Sequence, residues 1–231
     1  MYTILNIEHN YYLSLENNNK KLIPDEDILK VIEILEDMHP EAACALEHRD
    51  PFELVVAVAL SAQTTDVSVN KATPALFAKY PTAEALAEAD REDVIELIRT
   101  IGLYRNKSSN IIKLARRLTE DFDGKVPCDY DSLVSLPGVG RKTANVVLAE
   151  GFGIPRIAVD THVFRVANRI GLTDEKDVTA TEEGLMCRIP EDLWIRTHHL
   201  LIFHGRKCCH ARKPECSSCG LSGICLYERD N

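Results

Sequence analysis

The sequence has no sustained alternation of apolar and polar residues, no internal repeat and no low-complexity tract, which excludes a sheet-based or solenoid architecture. No apolar run is long enough to cross a bilayer, and neither a signal peptide nor a lipidation motif is found, so a cytoplasmic protein with no membrane partner is expected. Positive charge is scarce: 27 Lys and Arg face 36 Asp and Glu, a formal charge of −9. That balance argues against a general affinity for polyanions. What is present is apolar content, 45% of 231 residues, enough for one large core or two small ones.

Helical periodicity dominates. Residues 1–23 are polar and aperiodic and read as a loose tail. Ile28, Val31, Ile32 and Leu35 mark an amphipathic helix ending before Pro40. Asp50, Pro51 and Glu53 form a helix start with Asp50 as N-cap and Glu53 reaching back, and the apolar run Leu54–Leu60 predicts a buried helix. Further helices are expected near 66–79, 83–88, 91–100, 105–121 and 130–135, then from Asp160, as N-cap, to Ile170, and near 180–187 and 191–204. The fold class is therefore all-α, an irregular multi-helix assembly.

Between two of these helices lies Leu136-Pro137-Gly138-Val139-Gly140-Arg141-Lys142, read as a tight two-glycine hairpin. Gly138 and Gly140 permit positive φ and a close approach of backbone N–H groups to a bound anion, with Val139 between them and the positive end of a helix dipole just beyond. A plain turn between helices would use the same residues. Lys142 sits in the first helical turn, against the dipole, a position that favours a neutral amine over a structural cation. Charge is also unevenly spread. Arg105, Lys107, Lys113, Arg116 and Arg117 form one basic run without acids, and Arg206, Lys207, Arg212 and Lys213 form another. Either is a solvated face when taken singly, and together with the hairpin they favour a localised anionic partner.

Cys44, Cys128 and Cys187 are isolated and have no expected role. Cys209-x6-Cys216-x2-Cys219-x5-Cys225 is different, because it gathers four thiols into one short loop. Disulfides between residues so close would be strained and are out of place in a reducing compartment, so a metal centre is expected. Tetrahedral sulfur ligation suits zinc or an iron–sulfur cluster, and one compact loop with a single C-x2-C can wrap a cubane. Cys208, beside Cys209, could compete as a ligand.

Leu136 to Leu148, the run Val159-Asp160-Thr161-His162-Val163-Phe164-Arg165-Val166 and the four-cysteine tail resemble the endonuclease III family of DNA glycosylases. The likeness extends through Leu60-Ser61-Ala62-Gln63-Thr64-Thr65-Asp66 and Ile101-Gly102-Leu103-Tyr104, covering most of residues 50–228. The resemblance implies a two-domain helix-hairpin-helix glycosylase fold, with a six-helix barrel over 44–154. A second helical domain from 24–43 and 155–231 would hold a [4Fe–4S] cluster in the loop 208–226, on Cys209, Cys216, Cys219 and Cys225. It implies a nucleoid-associated monomer acting on double-stranded DNA that carries a damaged pyrimidine or an abasic site.

By the same resemblance, Lys142 is the nucleophile, Asp160 the catalytic carboxylate, and Gln63 and Leu103 fill the gap left by an extruded base. Gly138, Val139 and Gly140 contact the DNA backbone. The implied activity is bifunctional: removal of oxidised or ring-saturated pyrimidines, then β-elimination through a lysine Schiff base. An adenine-mismatch glycosylase would share hairpin, aspartate and cluster, but Lys142 and a chain stopping at Asn231 are not expected of it. A non-catalytic DNA-binding module would need neither Lys142 nor Asp160. Asp66 has a helix cap as its alternative reading, and His162, His198, His199 and His204 read as structural.

Overall fold

The computed structural model describes residues 20–230, and among these no strand occurs. The helices are α1 (Ile28–Met38), α2 (Pro51–Ser61), α3 (Asp66–Lys79), α4 (Ala83–Ala87), α5 (Arg91–Ile98), α6 (Tyr104–Asp121), α7 (Tyr130–Val134), α8 (Arg141–Val146), α9 (Thr161–Ile170), α10 (Val178–Arg188), α11 (Trp194–Lys207) and α12 (Leu226–Arg229). A π turn, Val147–Gly151, prolongs α8, and short 3-10 turns lie at Asp25–Asp27, Glu191–Leu193 and Cys216–Ser218. The expected tail over 1–23 falls largely outside the described residues. Its last part is not loose: Lys20 pairs with Glu175 at 2.6 Å, and Ile23 N–H donates to Gly171 O at 3.0 Å.

The chain forms two compact units. The hairpin unit comprises Glu41–Asp160 and Pro190–Leu200, and the cysteine unit comprises the described residues up to Pro40, Thr161–Ile189 and the chain from Leu201 on. The boundary is not the one drawn from the sequence. Residues 155–160 and Pro190–Leu200 group with the hairpin because Asn145 binds the Ile157 carbonyl and His199 pairs with Glu150.

In the hairpin unit α2 is apolar all round, as a helix surrounded by others must be, and Leu54, Val55, Val56 and Leu60 are completely buried. They share one core with Leu76, Leu86, Ile98, Ile111, Leu114, Leu118, Leu133 and Leu148. Each such side chain contributes roughly 1.5–3 kcal/mol relative to exposure. Asp50 caps α2 through Glu53 N–H as expected, but the Glu53 carboxylate reaches one residue further, to the Arg49 N–H at 2.8 Å and the Arg49 guanidinium. Thr65, not Asp66, caps α3, accepting from Ser68 N–H. Asp66 is the first helical residue.

The cysteine unit buries Ile28, Val31, Ile32 and Leu35 of α1 and Val163, Val166 and Ile170 of α9. Gly171 ends α9 at φ +94°, where a Cβ would collide with Leu226. Replacing completely buried Leu54 by Ala should lower the unfolding free energy by about 2–5 kcal/mol, whereas Ala at half-exposed Leu29 should cost under about 0.5 kcal/mol. Urea titration of both variants checks the contrast.

Candidate active site and cysteine centre

The hairpin runs from α7 into α8. Gly138 takes φ +81°, a left-handed conformation that strains any residue with a Cβ, and a Cβ there would press on Asn110 at 3.4 Å. Gly140 departs from expectation: its backbone is extended (φ −101°, ψ −179°) and a Cβ would meet nothing within 4 Å. The empty space in front of it, rather than its φ, is what glycine supplies there. Val139 is buried and its N–H is used within the turn, on Leu136 O at 3.1 Å. Among the described residues the N–H groups of Gly138 and Gly140 have no protein acceptor, and α8 starts without a side-chain cap. These donors, at the positive end of α8, are arranged to meet an anion.

Lys142 is exposed as the second residue of α8. One turn further along the same helix, Asn145 is fully buried, and its Nδ2 donates to Ile157 O at 3.3 Å. Ile157 opens the buried segment Ile157-Ala158-Val159, which delivers half-buried Asp160 to the start of α9. The helix that carries the amine is thus bound to the segment that carries the carboxylate. Lys142 and Asp160 also both act electrostatically on His198, which places the three groups in one neighbourhood.

His198 is completely enclosed. Burial, foremost, and the neighbouring His199 bring its pKa down to about 3, so the ring is neutral. Its Nδ1 and the Thr197 hydroxyl find no hydrogen-bond partner among the described residues. His199 Nε2 meets Glu150 Oε1 at 2.7 Å. Burial opposes ionisation of Glu150, and its hydrogen bond and attraction to His199 outweigh that, holding the carboxyl below its ordinary range. Glu150 lies in the π turn, a wider turn that redirects the side chains following α8. Sequence reasoning missed Asn145 and Glu150. The signal for Asn145 was a polar residue one turn from Lys142 on the apolar side of its helix.

Gln63 and Leu103 occupy two loop tips, and both are exposed non-glycine residues in the left-handed region, at φ 55° and 59°. Such conformations persist only where the surroundings impose them, and they concentrate at functional sites. The first basic run is not a uniform solvated face. Arg116 Nε donates to Ala87 O, Arg117 pairs with Asp121, and Lys107 is buried.

In the cysteine unit, Cys209, Cys216, Cys219 and Cys225 line one cavity together with Ile170, Pro214 and Leu221. Two arginines of α9 fasten the loop. Arg165 donates to the carbonyls of Gly205 and Cys209, and Arg169 to those of His210 and Ala211 while stacking on Tyr227 at 4.4 Å. Arg169 Nη1 also lies 3.5 Å from Cys209 Sγ. Cys208 faces the same cavity, and His204, read from the sequence as remote from any metal, joins it. A His204 ring nitrogen and the sulfurs of Cys208 and Cys219 lie within 4.8 Å of one another. The donor set therefore fits a soft metal centre: four thiols around one apolar cavity, with cationic and N–H groups near the sulfurs.

Residues 56–191 match the HhH-GPD superfamily of base excision DNA repair proteins. Endonuclease III of Bacillus subtilis (strain 168) is 53% identical over 190 residues, which cover 82% of this chain and 87% of that protein. The chain belongs to the endonuclease III family. Endonuclease III of Escherichia coli (strain K12) is 49% identical over 200 residues, covering 87% and 95% of the two chains. A solved structure of a trapped endonuclease III–DNA covalent intermediate superposes with a TM-score of 0.85 at 47% identity, over 90% of this chain and 99% of that one. The all-α helix-hairpin-helix fold expected from the sequence is the fold observed, and the activity class of this endonuclease III family member is that of a DNA repair glycosylase and lyase. Among the described residues no helix is long and apolar enough to cross a membrane.

The enclosed His198 has a pH consequence. Its pKa is about 3 when folded and 6.5 without the fold, so its contribution to stability is complete above about pH 6.5 and is lost as pH falls toward 3. The loss should approach about 1.4 kcal/mol per pH unit in that window. Urea unfolding between pH 7.5 and 4.5 should give a shallower dependence for His198→Gln than for the wild type. Equal slopes would refute the assignment.

Proposed function

We propose that this chain removes oxidised or ring-saturated pyrimidines from double-stranded DNA in the cytoplasm and then cleaves the strand at the abasic site, with Lys142 as nucleophile. The observation that carries the reading is the Asn145–Ile157 hydrogen bond, which holds the amine of Lys142 and the carboxylate of Asp160 on connected elements beside an uncapped helix start. The free N–H groups of Gly138 and Gly140 bind a backbone phosphate and set the register of the strand.

Extruding a base costs a few kcal/mol of stacking, less for a non-planar lesion, so the damage assists its own selection. Gln63 and Leu103 occupy the gap. The Lys142 amine, having given its proton to Asp160, attacks C1′ of the sugar. The C1′–N bond breaks with its electron pair going to the base, which takes the proton from Asp160 as it leaves. The sugar ring opens with O4′ gaining a proton from the attached nitrogen, yielding a protonated Schiff base between Lys142 and C1′. Asp160, a carboxylate again, stabilises the positive charge left at C1′ and the attached nitrogen. The imine acidifies the C2′ proton. Its removal expels the 3′ phosphate by β-elimination, and water releases Lys142.

Cys209, Cys216, Cys219 and Cys225 would hold a [4Fe–4S] cluster, with Cys208 beside them as a non-ligand. When bound, such a cluster supplies sulfur cross-links that shape the loop bearing exposed Arg212 and Lys213.

Borohydride should trap a covalent complex of the wild-type protein with abasic DNA, and Lys142→Ala should abolish it. Trapping undiminished in that variant would refute the assignment. The purified protein should be brown, with iron and acid-labile sulfide that are lost in Cys209→Ser and kept in Cys208→Ser. A colourless protein with stoichiometric zinc would overturn the cluster.

A further inference from the structure

Lys107 is the one lysine that the basic run 103–117 hides inside the protein: it lies one turn into α6 and is only 6% exposed. Its backbone N–H donates to Leu103 O at 3.0 Å, closing the turn that holds Leu103 in its left-handed conformation. Its ammonium donates to Thr64 Oγ1 at 2.7 Å. Thr64 directly follows Gln63, the other left-handed tip. The two loops lie close together: a Cβ on Gly102 would stand 3.6 Å from both Gln63 O and Thr64 Oγ1. One residue is therefore bonded to both loops, by its backbone to one and by its side chain to the other.

That arrangement is a poor choice for stability alone. Among the described residues the ammonium has a single neutral partner, and burial drives its pKa below the usual lysine range. An unbranched apolar side chain of similar length would fill the same space without that desolvation cost. What only the ammonium provides is a directional tie between the loops.

We propose that Lys107 is a positioning residue that fixes the spacing of Gln63 and Leu103, so that the two side chains enter the duplex as one rigid wedge when a damaged base is extruded. The proposal rests on the function proposed above, in which these residues fill the vacated gap. Leu103 is 58% exposed, and a large apolar side chain held out in a strained backbone suits a wedge better than a core. Misplacement of such a wedge affects the step that opens the stack and leaves the chemistry at C1′ intact.

The test compares single-turnover excision of a ring-saturated pyrimidine from a fully paired duplex with excision from a mismatched bubble, where the stack is already open. Lys107→Met and Thr64→Val should each lower the duplex rate about tenfold or more, while the bubble rate stays within about twofold. The double variant should lose no more than either single one, and Thr64→Ser should keep the wild-type ratio. Fluorescence of 2-aminopurine beside the lesion should report reduced unstacking in the same variants. Equal losses on duplex and bubble, or an unchanged ratio with fully active variants, would overturn the wedge role while leaving the glycosylase reading in place. A wild-type protein that traps no abasic DNA with borohydride would refute that reading and this proposal together.

Discussion

The hydrogen bond from Asn145 to the Ile157 carbonyl, 3.3 Å long and closed to solvent, is the constraint that ties the helix of Lys142 to the segment of Asp160. A lysine on a solvent-facing turn has four rotatable bonds, and nothing in its own side chain fixes where its amine is found. The helix beneath it can be fixed, and so can the chain segment that presents the carboxylate. Asn145 joins the two with one amide. Because it is buried, breaking that bond would leave a polar group without a partner, at a cost of about 1–3 kcal/mol. The link is therefore hard to break, and the geometry it sets is kept.

The same economy governs the loop tips. Gln63 and Leu103 adopt conformations that their own side chains disfavour, and α6 begins after Leu103 without a side-chain cap. Local strain of this kind has to be offset by surrounding contacts. Here it is offset by the turn hydrogen bonds to Leu103 O and by the buried Lys107 ammonium on Thr64. A protein selected for stability alone would have used glycine at the tips and an apolar residue at 107.

Much of this was legible in the sequence. Periodicity placed the helices because their apolar faces are clean, and the left-handed turn at Gly138 followed from the residues that permit it. The position of Lys142 against the helix dipole marked it before any geometry was known. Asp160 was not separable by local rules, since an aspartate ahead of a helix is an ordinary cap; only resemblance to known glycosylases singled it out. Other features were hidden for physical reasons. Lys107 sits among solvated cations in sequence, and burial is a property of the folded chain. Thr65 and Asp66 are both competent caps, and the chosen one depends on where the chain enters α3. The π turn after α8 shifts the helical period by a single residue, which too few side chains register. His204 has no metal-like spacing to the cysteines and reaches them only because α11 runs into the loop.

An acidic protein with a polyanionic partner is a contradiction only until the acids are located. In the hairpin unit, α2, α3, α4, α5 and α7 are each closed by a side-chain oxygen, from Asp50, Thr65, Thr82, Asp90 and Asp129. Other carboxylates are matched internally, as Glu53 is by Arg49 and Asp93 by Lys79. The helices α6 and α8 start without such a cap, after Leu103 and after Gly140, and neither has an acid in its first turn. Those five helix starts are closed from within, whereas no side-chain oxygen closes α6 or α8. Net charge averages over the chain, whereas a phosphate meets only the groups within a Debye length, about 10 Å at 0.1 M salt. With no acid inside either of these first turns, a chain of −9 can still present positive helix ends to DNA.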